Sequence, residues 1–180
     1  MTRFNHPVSI TTKSPLVCRD IDILGPMAEK SLAAVGISLC PLDAKLAQTL
    51  EPRAPRPDKR LNAMRALSQA GIPVAVIVAP MIPVLNDQEM EAILERAAEA
   101  GARAAGTILL RLPFELKDLF SEWLTAHVPD MAAHVLSQVR ETRRGGLNDS
   151  EFKIRMKGTG PRAEMLAKRF SLACKRFGLT

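Results

Sequence analysis

The sequence predicts an α/β fold: a partial TIM-type (βα) barrel of about four parallel strands with flanking helices, followed by a helical C-terminal tail. Three observations carry that expectation. Residues 70–87, AGIPVAVIVAPMIPVLND, read as the end of a helix, a β-branched run and the start of another helix. The same order of pieces recurs upstream in LAAVGISLCPLD, residues 32–43, and downstream in AGARAAGTILLRLP, residues 100–113. No polar position interrupts residues 74–78, which is the habit of strands buried on both faces in parallel sheets.

Each element has its own signal. Residues 7–12 (PVSITT) read as a strand at the very start of the chain, with Lys13 and Ser14 just past its end. Residues 19–31 read as a helix with a break near Gly25 and Pro26. The second strand covers residues 32–39, and Asp43 caps a short helix over 44–50. Pro52, Pro55 and Pro57 make residues 51–58 an extended loop, and Asp58 is placed to cap a helix over 59–70. Gly71 suits the left-handed position after that helix. The third strand follows, then a loop at 80–84. Asn86 with Glu89 has the spacing of a capping box for a helix over 88–100, whose Met90, Ile93, Leu94 and Ala97 share one side. A fourth strand covers 104–110. Helices are expected at 116–127, at 130–143 and from about 162 to 177. KGTGP at 157–161 has no Gly-Lys-Ser/Thr and is no P-loop; it ends one segment and starts the last helix. The organisation expected is a barrel part, residues 1–113, and a helical extension, residues 114–180.

Composition bounds the function. With 180 residues, 47% apolar and 24% charged, the chain has the make-up of a soluble domain. Aromatics are only 4%, with no Tyr, which weakens readings based on base stacking. The uncharged stretch 72–86 is broken by three prolines and is too short to span a bilayer. No basic-then-apolar leader pattern opens the chain, so a cytoplasmic protein is expected. Cys18, Cys40 and Cys174 are far apart and read as plain thiols; His6, His127 and His134 lack zinc spacing. Met90, Met131, Met156 and Met165 read as core fillers. The net charge of +6 is concentrated at the end: residues 140–180 carry 11 Lys/Arg against 4 Asp/Glu. Lys153, Arg155, Lys157, Arg162, Lys168, Arg169, Lys175 and Arg176 make nucleic-acid binding through the tail one alternative.

Parallel strands joined by helices place their active loops at the strands' C-terminal ends. Those ends carry Lys13, Ser38, Ala79 with Pro80, and Arg111. Two cations, a hydroxyl and open backbone suit a carboxylate- or phosphate-bearing ligand. Arg111 either binds that ligand or pairs with an acid across the opening, and Arg53 reads as the ion-paired residue of the proline-rich loop.

TTKS at 11–14, VCRDIDIL at 17–24, GISL at 36–39, EPRAPRP at 51–57, AGIPVAVIVAPMIPVLND, LLRLP at 109–113 and KGTGP resemble the radical SAM proteins related to spore photoproduct lyase, in particular an uncharacterised bacterial branch of that group. The resemblance spans nearly the whole chain with the motifs in order. It implies a barrel of six βα units and a [4Fe–4S] cluster held by a C-x3-C-x2-C loop. It also implies S-adenosylmethionine on the cluster's unique iron, cleaved there to a radical that abstracts hydrogen. By that resemblance Lys13 and Ser38 contact the amino acid end or ribose of S-adenosylmethionine, and the backbone of Ala79 approaches its adenine. The C-x3-C-x2-C motif and the first two βα units of the group are absent from these 180 residues. The expectation is therefore the C-terminal part of a longer protein, inactive alone, with cluster ligands supplied from elsewhere. The edge at residues 7–12 would then be open to a missing N-terminal half or to self-association. The alternative class is a non-catalytic α/β module binding a small anion or nucleic acid.

Overall fold

A computed structural model describes residues 4–180; the reading of the chain's opening as leader-free rests in part on residues 1–3, outside that range. Four strands, β1 (Val8–Thr12), β2 (Ala33–Ser38), β3 (Val74–Met81) and β4 (Ala104–Leu109), form one sheet in the order β1-β2-β3-β4. Every neighbouring pair is parallel. The helices are α1 (Ile21–Glu29), α2 (Ala44–Leu50), α3 (Pro57–Gln69), α4 (Met90–Glu99), α5 (Leu116–His127), α6 (Pro129–Glu141) and α7 (Gly160–Phe177). The fold is thus α/β, a parallel sheet flanked by helices, consistent with part of a (βα) barrel.

Parallel neighbours need a crossover, and here the crossovers carry the helices to one side. Val35, Ile37, Val74, Val76 and Val78 share that side with Leu24, Leu61, Met64, Leu67, Ile93, Leu94 and Leu166 in one core. The opposite face stays partly open: Ala75, Ile77 and Ala79 are half-buried, as are Ala104, Gly106 and Ile108 of β4. Burial on both faces, as the run 74–78 suggested, therefore does not occur. Four strands with helices on one side leave the inner face without a covering layer.

The two edges differ. Among the described residues β1 pairs only with β2, leaving Ser9 and Thr11 exposed. The edge of β4 is covered by the chain's own end. Ala105 N donates to Thr180 O at 3.0 Å, Thr180 N to Arg103 O at 3.0 Å, and Leu109 N to Met156 O at 3.0 Å. A second apolar cluster joins Ile82, Leu85 and Leu112 to Phe120, Leu124, Val135 and Val139 of α5 and α6.

Local signals decided most elements. Asp43 accepts from Leu46 N at 2.7 Å and caps α2 as expected, and Gly71 has φ +73°. Gly158, with φ +74°, has no room for a Cβ, which would lie 2.9 Å from Thr142 O. Asp58 is not a cap: Pro57 opens α3 one residue earlier, where its fixed φ fits and its missing N–H is not needed. Residues 15–20 form a 3-10 turn, and α1 runs through Gly25 and Pro26 without breaking. Strand β3 continues past Val78 through a register irregularity and the cis Ala79–Pro80 bond to Met81, where a loop was expected. The Asn86–Glu89 capping box does not form. Asn86 Oδ1 accepts from Ile82 N at 2.8 Å and its Nδ2 donates to Pro80 O at 3.1 Å. Glu89 instead accepts from Leu42 N and Asp43 N, tying α4 to the turn before α2. Of the four methionines read as core, only Met90 is buried; Met131, Met156 and Met165 are 37–44% exposed.

Candidate functional site at the C-terminal rim of the sheet

A groove of about 430 Å³ opens at the C-terminal ends of the strands, lined by Lys13, Ser38, Ala79, Pro80 and Arg111, with Ile77 on its floor. Its volume is in the range of small-molecule sites, about 300–1,000 Å³. Lys13 follows β1, Ser38 ends β2, Ala79 lies at the irregularity of β3, and Arg111 comes two residues after β4. The sheet order thus sets the sequence of groups along the rim: cation, hydroxyl, carbonyl, cation. All three residues singled out by resemblance, and Arg111, meet in this groove.

Their partners are specific. The Lys13 ammonium is paired with Glu51 Oε1. The other oxygen of Glu51 takes Arg60 Nη2 at 2.7 Å. Arg60 is fully buried and also donates to Pro55 O at 2.7 Å and Ser38 O at 3.2 Å. The proline-rich loop is therefore locked to the end of β2 through Glu51 and Arg60; Arg53, read as its ion-paired member, makes no ion pair among the described residues. Ser38 Oγ makes a long 3.4 Å contact to Ala79 O. Arg111 has no ion-pair partner among the described residues.

Behind Arg111 lies Arg143, also buried. It donates to Leu109 O at 2.6 Å, Leu110 O at 3.1 Å, Arg155 O at 3.0 Å and Ile154 O at 3.3 Å. Burial holds its guanidinium below the ordinary arginine pKa, Asp149 offsets this, and Arg111 adds to it. Arg143 stays charged at any ordinary pH.

Glu51, Arg60 and Arg143 were not singled out in the sequence. A signal existed for both arginines: Arg60 is in helical register with Met64 and Leu67, and Arg143 with Val135 and Val139. A charge on an apolar stripe is a buried charge in waiting.

The cysteines do not fit a [4Fe–4S] cluster. Cys18 Sγ contacts Ala63 O at 3.8 Å and Cys40 Sγ contacts Pro80 O at 3.4 Å. Burial, with Glu89 and Glu51 nearby, pushes the Cys40 thiol up to about 12. Cys174 is also a buried free thiol whose pKa burial raises. Among the described residues no three His, Cys, Asp or Glu side chains converge as metal ligands. The basic tail is partly consumed within the molecule: Arg162 pairs with Asp87 at 3.0 Å and Arg169 with Glu91 at 2.7 Å.

No family model matches the chain. It is similar to the uncharacterized protein Rv2578c of Mycobacterium tuberculosis and to its counterpart Mb2609c of Mycobacterium bovis, each 32% identical over 142 residues. Those matches cover 78% of this chain and 41% of each relative, so the chain corresponds to under half the length of these relatives. The uncharacterized protein ORF301 of Acidianus two-tailed virus is 37% identical over 97 residues, 51% of this chain and 32% of that protein. None of these names assigns an activity. No described helix is long and apolar enough to cross a membrane.

Proposed function

We propose that the chain is the S-adenosylmethionine-holding part of a radical SAM enzyme related to spore photoproduct lyase, with the ligands of the [4Fe–4S] cluster outside these 180 residues. The observation that supports this most is the meeting of Lys13, Ser38 and Ala79 in one groove at the strand ends. The donors and acceptors there suit the molecule. An ammonium has three N–H donors; Glu51 takes one of those of Lys13, which leaves two for a carboxylate. The Ser38 hydroxyl is held only by a long contact and can turn toward a ribose oxygen. Ala79 O is an acceptor for an amino group on a purine, and Pro80 removes the competing backbone donor at that turn.

S-adenosylmethionine bound with a cluster supplies radical initiation. This chain's residues bind and orient the nucleoside: Glu51 holds Lys13 in place, and Arg60 holds Glu51. The cysteines of the chain play no part in that reading.

Titrating S-adenosylmethionine into the chain by calorimetry tests it. Saturable binding is expected, weakened about tenfold by Ser38→Val or Lys13→Ala, a loss of one charge-assisted or neutral hydrogen bond. Equal binding by the wild type and by the chain carrying both Lys13→Ala and Ser38→Val overturns it. Anaerobic iron–sulfur reconstitution of this chain alone is expected to give no stoichiometric cluster absorbance. Salt-dependent binding of short DNA that falls with Lys168→Ala and Arg169→Ala, with no nucleoside binding, would favour the non-catalytic module instead.

A further inference from the structure

The rim has two electropositive ends that differ in how far their charge is neutralised. Lys13 and Arg111 stand at the outer strands of the order β1-β2-β3-β4. Neighbouring strands are about 4.8 Å apart, so three spacings put the two positions about 14 Å apart. With the Lys13 ammonium held by Glu51 at its own end, Arg111 is the cation left for an oxyanion at the β4 end. At the β1 end, Lys13 and Arg60 share the carboxylate of Glu51. At the β4 end, Arg111 lines the groove with no hydrogen-bond or ion-pair partner among the described residues. Arg143 adds a second positive charge there, and its donors go only to carbonyls. Asp149, the carboxylate that offsets it, is 3.6 Å from Arg144 and shared with it. Between the ends the floor is uncharged: Ile77 flanked by Gly36 and Gly106.

We infer that Arg111 anchors the oxyanion, a carboxylate or a phosphate, of a second ligand at the β4 end of the groove, separate from the molecule held by Lys13 and Ser38. This rests on reading the groove as a nucleoside site and gives that reading its substrate class: the molecule acted on carries an anionic group, with its uncharged body over Ile77. A guanidinium presents two parallel N–H groups to a carboxylate or phosphate, a fit that a lysine lacks. Arg143 is a positioning residue. By holding Leu109 O and Leu110 O it fixes the backbone from which Arg111 projects, and its charge adds to the attraction in a partly desolvated groove.

The test follows the Nε–Hε resonance of Arg111 by NMR while sodium phosphate and sodium acetate are titrated separately into the full chain. One of the two anions is expected to shift it saturably, the stronger binder identifying phosphate or carboxylate as the group. Arg111→Gln is expected to weaken that anion at least about tenfold and Arg111→Lys by an intermediate factor, while S-adenosylmethionine binds both variants within about twofold of wild type. Anion binding unchanged in Arg111→Gln, or no shift of Arg111 in the wild type with either anion, overturns the inference. Wild-type chain that takes the anion at Arg111 but never binds S-adenosylmethionine overturns the nucleoside reading instead, and leaves an anion site standing.

Discussion

Arg60 and Arg143 are equally buried, at 1% exposure each, and they carry their charge in opposite ways. Arg60 meets a carboxylate, and that carboxylate also takes Lys13. Arg143 meets four carbonyl oxygens and no carboxylate within bonding distance. Each ties a strand end to a loop: Arg60 joins β2 to the proline-rich segment, and Arg143 joins β4 to residues 154 and 155. One architectural problem, fastening an irregular segment to a sheet, thus has two solutions. The first offsets part of the charge at the rim with a carboxylate and the second leaves it there. The polarity of the groove follows from this difference.

The largest effect is expected at Arg143. Arg143→Ala removes four hydrogen bonds and leaves buried carbonyls with nothing to replace the donors. Unmade bonds to buried groups and the cavity together cost roughly 4 kcal/mol. Urea denaturation checks this; a loss under about 1 kcal/mol would show that water substitutes for the guanidinium and that the two arginines are not comparable. Arg60→Ala is expected to cost somewhat less, about 3 kcal/mol, because Lys13 still balances Glu51 after the change. The comparison sharpens with Glu51→Gln. Combined with Arg60→Ala it should give less than the sum of the single losses, since both act on one pair. Strict additivity would mean that Arg60 works through Pro55 O and Ser38 O alone.

Much of this fold was legible. Gly71, Asp43 and the β-branched run at 74–78 each marked an element by a local rule, and the rim residues followed from the repeat of strand, loop and helix. What failed were signals whose residues had a better use at a distance. Asn86 and Glu89 have capping-box spacing, yet Asn86 closes the 80–86 turn and Glu89 bonds the backbone at Leu42 and Asp43. The loop pair predicted at Arg53 is made by Glu51, two positions earlier. Pairings set by tertiary approach leave no spacing rule in the chain. The buried arginines were the readable exception, because a charge repeating in step with Met64 or Val139 breaks an otherwise apolar stripe.

Lys13→Ala should separate stability from binding. Its side chain is 42% exposed, so the pair with Glu51 is worth about 0.5 kcal/mol or less. Melting should barely move, while nucleoside binding falls as given above. A drop in stability as large as that of Arg60→Ala would place Lys13 in the fastening of the loop rather than at the ligand.

The smallest effect concerns a pair outside the rim, and it contrasts a titrating partner with guanidinium groups that do not titrate. Arg169 beside Glu91 holds that carboxyl below the ordinary glutamate pKa, chiefly through their hydrogen bond. A carboxyl whose folded pKa is depressed contributes stability above its unfolded pKa, about 4.3, and loses it as pH falls through the lower folded value. Glu91 is 41% exposed, so water screens the pair and its worth is about 0.5 kcal/mol at most. Glu91→Gln should therefore cost a few tenths of a kcal/mol at pH 7 by denaturant titration, and the gap from wild type should narrow as pH falls below the ordinary glutamate range. Arg143 keeps its proton over that whole range, so the cost of Arg143→Ala should show no such closing. If the Glu91→Gln gap stays constant with pH, the link between α4 and α7 is held by packing and by the Arg169 bond to Asp87 O at 3.0 Å, not by charge.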